Sequence, residues 1–98
     1  MKLADQIEYV DGQIAKAVIA QTNSGSSILM AFDKGVALGT HSTPAIAIVQ
    51  ILEGLCSFTV NGVNQTLQVG DYIVMQPDTP HSLGATERFK MLLTKLNA

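Results

Sequence analysis

Apolar and polar residues alternate in short runs along most of this chain. Glycine and proline break the runs at Gly12, Gly25, Gly35, Gly39, Pro44, Gly54, Gly62, Gly70, Pro77, Pro80 and Gly84. Most pieces are too short for an ordinary helix but suit strands, and turn signals at such spacing predict an all-β sandwich or barrel. The predicted strands are Ile14 to Gln21, Ser27 to Phe32, Ala45 to Leu52, Cys56 to Val60, a return strand around Leu67 and Val69, Tyr72 to Gln76, and Phe89 to Lys95. Asn61-Gly62 marks a hairpin, because both residues tolerate positive φ. Only Lys2 to Val10, with Leu3, Ile7 and Val10 at helical spacing, predicts a helix.

The strand Ala45 to Leu52 is apolar on both faces except at Gln50. A strand with one wet face should alternate, so both faces here need cover. If Ala47 lines a barrel interior, Ile46, Ile48, Gln50 and Leu52 point outward. A soluble monomer of this size seldom exposes such a patch, which predicts a homodimer with this face at its two-fold interface. The competing expectation is that the N-terminal segment Leu3 to Val18 folds over the same face.

Composition narrows the function classes. The chain has 98 residues, 47% hydrophobic and 14% charged, with a net charge of −2. That length is one domain's worth of chain, and the balance excludes intrinsic disorder. Lack of a basic surplus argues against a nucleic-acid partner. No apolar run is long enough for a membrane span, and the first residues lack a signal-peptide core, so the expectation is a cytoplasmic protein. The one cysteine excludes an internal disulfide and a cysteine-rich zinc module.

Residues that could carry chemistry are few. The two histidines, His41 and His81, sit at strand boundaries beside turn residues, and a barrel could bring them together. Cys56 shares a strand face with Phe58 and Val60 and is expected to act as a small buried hydrophobe. No pair of carboxylates has catalytic spacing, and no phosphate-binding loop is present.

The histidine segments resemble the two motifs of the cupin family. The first reads Gly35-VALGT-His41-Ser-Thr43-PAI-Ala47-IVQILE-Gly54, and the second Gly70-DYIVM-Gln76-Pro-Asp78-TP-His81-SLG-Ala85. Cupin motifs run Gly, five residues, His-x-His, three or four residues, Glu, six residues, Gly; and Gly, five residues, Pro-x-Gly, two residues, His, three residues, Asn. The resemblance is to short bacterial cupins of the conserved-barrel, RmlC-like kind. It implies a single domain over residues 1–98, folded as a double-stranded β-helix or jelly-roll barrel, with the motifs at about 35–54 and 70–85.

The same resemblance implies a damaged metal site. His41 and His81 stand where two ligands stand, Thr43 replaces the second histidine of the first motif, and Ala47 replaces the glutamate. A catalytic zinc usually needs three protein ligands, and a non-haem iron two histidines and a carboxylate. The expectation is therefore no cofactor, with His41 and His81 as the only candidate ligands for a weakly bound divalent metal. The leading reading is a barrel that binds an unidentified small molecule in a pocket of His41, His81, Thr43, Ala47 and Cys56. Two alternatives stand beside it. One is an enzyme, either an isomerase or lyase using the histidines as an acid–base pair or a weakly metal-dependent oxygenase. The other is a purely structural barrel.

Overall fold

The computed structural model describes residues 1–97; residue 98, the last of the expected domain, lies outside them. The strands are β1 (Ile14–Thr22), β2 (Gly25–Phe32), β3 (Ala37–His41), β4 (Ile46–Val60), β5 (Val63–Gln68), β6 (Tyr72–Met75), β7 (His81–Gly84) and β8 (Phe89–Leu96). They follow the order β1-β2-β8-β4-β7-β3, with β5 and β6 also paired to β4, and every pairing is antiparallel. This is the double-stranded β-helix barrel that the motifs imply.

One strand serves both layers. The first half of β4 pairs with β8 and β6, and its second half pairs with β5 and β7. The corner falls at a register shift between Ile51 and Glu53, followed by Gly54 at φ +80°. A bulge and a glycine are the usual means by which a strand turns from one sheet into another. The sequence reading of two strands, ending at Leu52 and restarting at Cys56, is corrected accordingly: Gly54 bends a continuous strand.

Alternation then fills the barrel. Met30 and Phe32 from β2, Phe89 and Met91 from β8, and Val49 and Phe58 from β4 all point inward and are buried. Phe32 and Phe89 stack at 4.5 Å between ring centroids. Strands β3 and β7, which the sequence reading did not identify, are short and close the second layer. Val69, expected in the return strand, lies beyond the end of β5 and is exposed.

The N-terminal helix is not formed. Only a single 3-10 turn, Leu3–Gln6, is present; no side chain caps it, and Ile7 is already extended at φ −145°. Nine residues rarely hold a helix without packing. Here the packing favours an extended strap in which Ile7 and Tyr9 face the barrel while Glu8 and Val10 face solvent. Ile7 and Tyr9 cover the outer face of the sheet at Leu29, Ala31, Leu52 and Leu92. The buried Lys90 ammonium pins the strap by donating to the Ala4 carbonyl at 2.6 Å, and the Tyr9 hydroxyl donates to Glu53 at 2.5 Å. Burial, with the Glu53 hydrogen bond and charge, holds the Tyr9 phenol well above its ordinary range. No helix among the described residues is long and apolar enough to cross a membrane.

Candidate ligand site

His41 ends β3 and His81 begins β7, and the two are direct partners across that ladder. Their rings meet at 4.2 Å between centroids, tilted by 59°. The loops that carry them are tied together by backbone. The Asp78 amide donates to the Thr43 carbonyl at 2.8 Å, and the Asn61 amide, in the turn between β4 and β5, fastens the His81 loop by donating to the Pro80 carbonyl at 3.0 Å. The Asp78 backbone has φ +64°. That is a glycine's conformation, at the position where the cupin motif has glycine, and aspartate is one of the few other residues that tolerates it. Thr79 closes the same turn by donating its hydroxyl to the Gln76 carbonyl at 2.7 Å.

Each imidazole is oriented in the same way. His41 Nδ1 lies 2.7 Å from the Gly39 carbonyl, and His81 Nδ1 lies 2.9 Å from the Thr79 carbonyl. A carbonyl can only accept, so in the neutral ring the proton sits on Nδ1 and Nε2 carries the lone pair. The His81 ring is buried and nearly parallel to Phe58 at 6.0 Å, whereas His41 is exposed at the mouth.

The pair borders a cavity of about 500 Å³. Its walls are largely apolar, with Ile28, Met30, Val49, Phe58, Met91 and Leu93 among them. Thr43 and Ala47 line it together with both histidines, so four of the five predicted pocket residues share one space. Cys56 does not line it. Although it points inward, it is wholly buried in the core near the corner of β4, and burial pushes its thiol up to about 12. Lys16 and Lys95, which the sequence reading missed, also line the cavity. Alternation could have placed both, since Lys16 follows Ile14 at i+2 and Lys95 continues the inward series Phe89, Met91, Leu93.

A barrel of this topology, with a histidine on each of two adjoining strands at its mouth, defines the class of small double-stranded β-helix proteins. The profile of the family described as Cupin domain matches residues 28–95, and the chain belongs to that family. Over its full length it is 31% identical to a conserved Streptococcus pyogenes protein of unknown function, covering 86% of that chain with a TM-score of 0.93. It is 23% identical to a cupin superfamily protein from Desulfitobacterium hafniense, again over its full length and 90% of that chain, with a TM-score of 0.95. A predicted oxalate decarboxylase from Thermotoga maritima is 21% identical over 89% of this chain and 83% of that one, with a TM-score of 0.83. No curated protein matches the chain.

The donors present do not make up the metal site that the family implies. Among the described residues no group of three or more His, Cys, Asp or Glu side chains converges. His41 and His81 offer two neutral nitrogens, and the nearby Thr43 and Ala47 add a weak hydroxyl and nothing. A divalent cation there would lack both a third strong ligand and a compensating negative charge.

Proposed function

We propose that this chain is a small-molecule-binding barrel whose polar anchor is the His41–His81 pair. The observation that carries the reading is the pair itself: two rings 4.2 Å apart, each with Nδ1 held by a backbone carbonyl, at the border of a largely apolar cavity of about 500 Å³. A cavity with apolar walls and a few convergent polar groups is the usual form of a ligand site. The volume argues against a barrel closed by its own side chains. The test is a fragment screen read by the carbon-bound ring protons of His41 and His81. Ligands that shift both histidines together, and lose binding in His81→Gln, are the expected result. Hits that leave both rings unmoved would overturn it.

The homodimer also stands as a proposal. The strap covers only the Leu52 end of the outer face of β4. At the other end Ile48 pairs in register with Val74 and Gln50 with Tyr72, and Tyr72 and Val74 are 67% and 49% exposed. A second copy presenting the same residues across a two-fold axis would cover them.

A further inference from the structure

We propose that the ligand of this cavity is an organic carboxylate with an apolar body, its charge met by Lys16 and Lys95. The inference rests on the binding reading above and names its ligand class.

Charge is sorted unevenly in this molecule. The chain has eight acidic residues against six Lys and Arg, yet among the described residues no Asp or Glu lines the cavity, while two lysines do. Of the four cations elsewhere, three face carboxylates: Lys34 faces Glu87, Arg88 faces Asp33 and Asp11, and Lys90 faces Glu53, while the exposed Lys2 makes no ion pair among the described residues. Lys16 and Lys95 make no ion pair among the described residues. Both stand on the cavity-facing side of their strands, Lys16 exposed at the rim and Lys95 deeper. Lys95 is half-buried and is the register partner of Ala47, the small residue that leaves room beside it.

The four nitrogen groups approach from two sides. Lys16 and Lys95 rise from β1 and β8 in one layer, and the imidazoles come from β3 and β7 in the other. An anion between the layers meets two ammonium groups and the Ser42 and Thr43 hydroxyls, all donors. The imidazole Nε2 atoms, which accept, remain for a hydroxyl or N–H elsewhere on the ligand. The apolar side chains then receive a hydrocarbon or aromatic body, which inorganic phosphate or acetate lacks.

The experiment is calorimetric titration of the intact protein with hexanoate, phenylacetate and mandelate, each matched with its neutral amide, with the histidine ring signals followed in parallel. At least one carboxylate should bind roughly tenfold or more tightly than its amide, as charge-assisted hydrogen bonds in a half-buried site would give. Lys95→Met and Lys16→Met keep most of the apolar stem and should bring that ratio toward one without weakening the amide. Amides that shift both histidines and bind as tightly as the acids would overturn the carboxylate inference and leave the binding reading standing. Six probes that all leave the histidines unmoved in the folded protein would overturn both.

Discussion

Gly54→Ala tests whether the corner of β4 is what builds the barrel around the site. At φ +80° an alanine is strained by roughly 1–2 kcal/mol before any contact is considered. Its Cβ would stand 1.7 Å from the Arg88 carbonyl oxygen, 2.7 Å from the Arg88 carbonyl carbon and 2.8 Å from the Phe89 Cα. All three are backbone atoms, so no flexible side chain can give way. Strands β4 and β8 must part at the Gly54–Phe89 pairing, with local ladder bonds weakened at about 1 kcal/mol each. The expected loss is at least about 3 kcal/mol, a large share of the roughly 5–15 kcal/mol that holds a domain together. Gly62→Ala is the control, because its φ is also +80° but nothing lies within 4 Å of its Cβ. Urea unfolding followed by circular dichroism should show the Gly54 variant losing at least about 2 kcal/mol more than the Gly62 variant. Equal losses in the two would refute the reasoning, since only the collision separates them.

Cys56 should resist a thiol reagent at pH 8 in the folded protein and react on unfolding. Because burial raises its folded pKa to about 12, the thiol's contribution to stability is present below the unfolded value and falls as pH rises above about 9, where only the unfolded chain ionises; fast labelling of the native protein would count against this. Asp33 moves the other way. The Gly12 amide and then the Arg88 guanidinium hold its carboxyl below its ordinary range, so its contribution is present above about pH 4 and is lost as pH falls through the lower folded value. Asp33→Asn should flatten the acid limb of the stability curve, measured as denaturation midpoint against pH. Glu53→Gln removes the charge facing Tyr9 and Lys90 and should loosen the strap, giving faster proteolytic cleavage before Gly12 while the barrel core stays protected. Ile48→Asp should turn a dimer into a folded monomer on a sizing column with light scattering, whereas a wild type already monomeric at micromolar concentration would remove the dimer.

The strands and the histidine motifs were legible because they depend on local rules: side-chain alternation, turn residues, and fixed spacing between turn and histidine. The helix expected at Lys2 to Val10 failed because Leu3, Ile7 and Val10 fit a helical period while Ile7 and Tyr9 also fit a strand period, and the barrel surface selected the second. Nothing local distinguishes the two. The break placed between Leu52 and Cys56 failed for a related reason, since a glycine at positive φ reads the same in a turn and at a strand corner. Strands β3 and β7 carry too little alternation over five and four residues to be seen without their partners. The lysines were missed because lysine is read as solvent-facing by default, although parity along β1 and β8 puts both on the cavity side, Lys16 still exposed and Lys95 half-buried.

Ala47 links the missing metal donors of the cupin motif to the charge of the cavity. It is buried, lines the cavity and pairs in register with Lys95. The cupin motif has glutamate there, and a carboxylate at that position would supply a metal donor beside His41 and His81 and a counter-charge beside the Lys95 strand. Alanine removes both at once. The barrel is not disturbed, because alanine is inward-facing, apolar and small, and β4 keeps its register with β6 and β8. On the proposed carboxylate reading, this substitution favours an anion over a cation in the cavity, on an unchanged fold. The exchange should run backwards. Thr43→His combined with Ala47→Glu restores the donor types that the motif lacks, and three or four nitrogen and oxygen ligands are what a tight divalent site requires. Zinc bound by the double variant should survive dialysis against a chelator that strips the wild type. The restored carboxylate should also weaken the binding of organic acids, by direct repulsion and by pairing with Lys95. A double variant that gains zinc yet binds the acids as tightly as before would separate the two properties and refute the link.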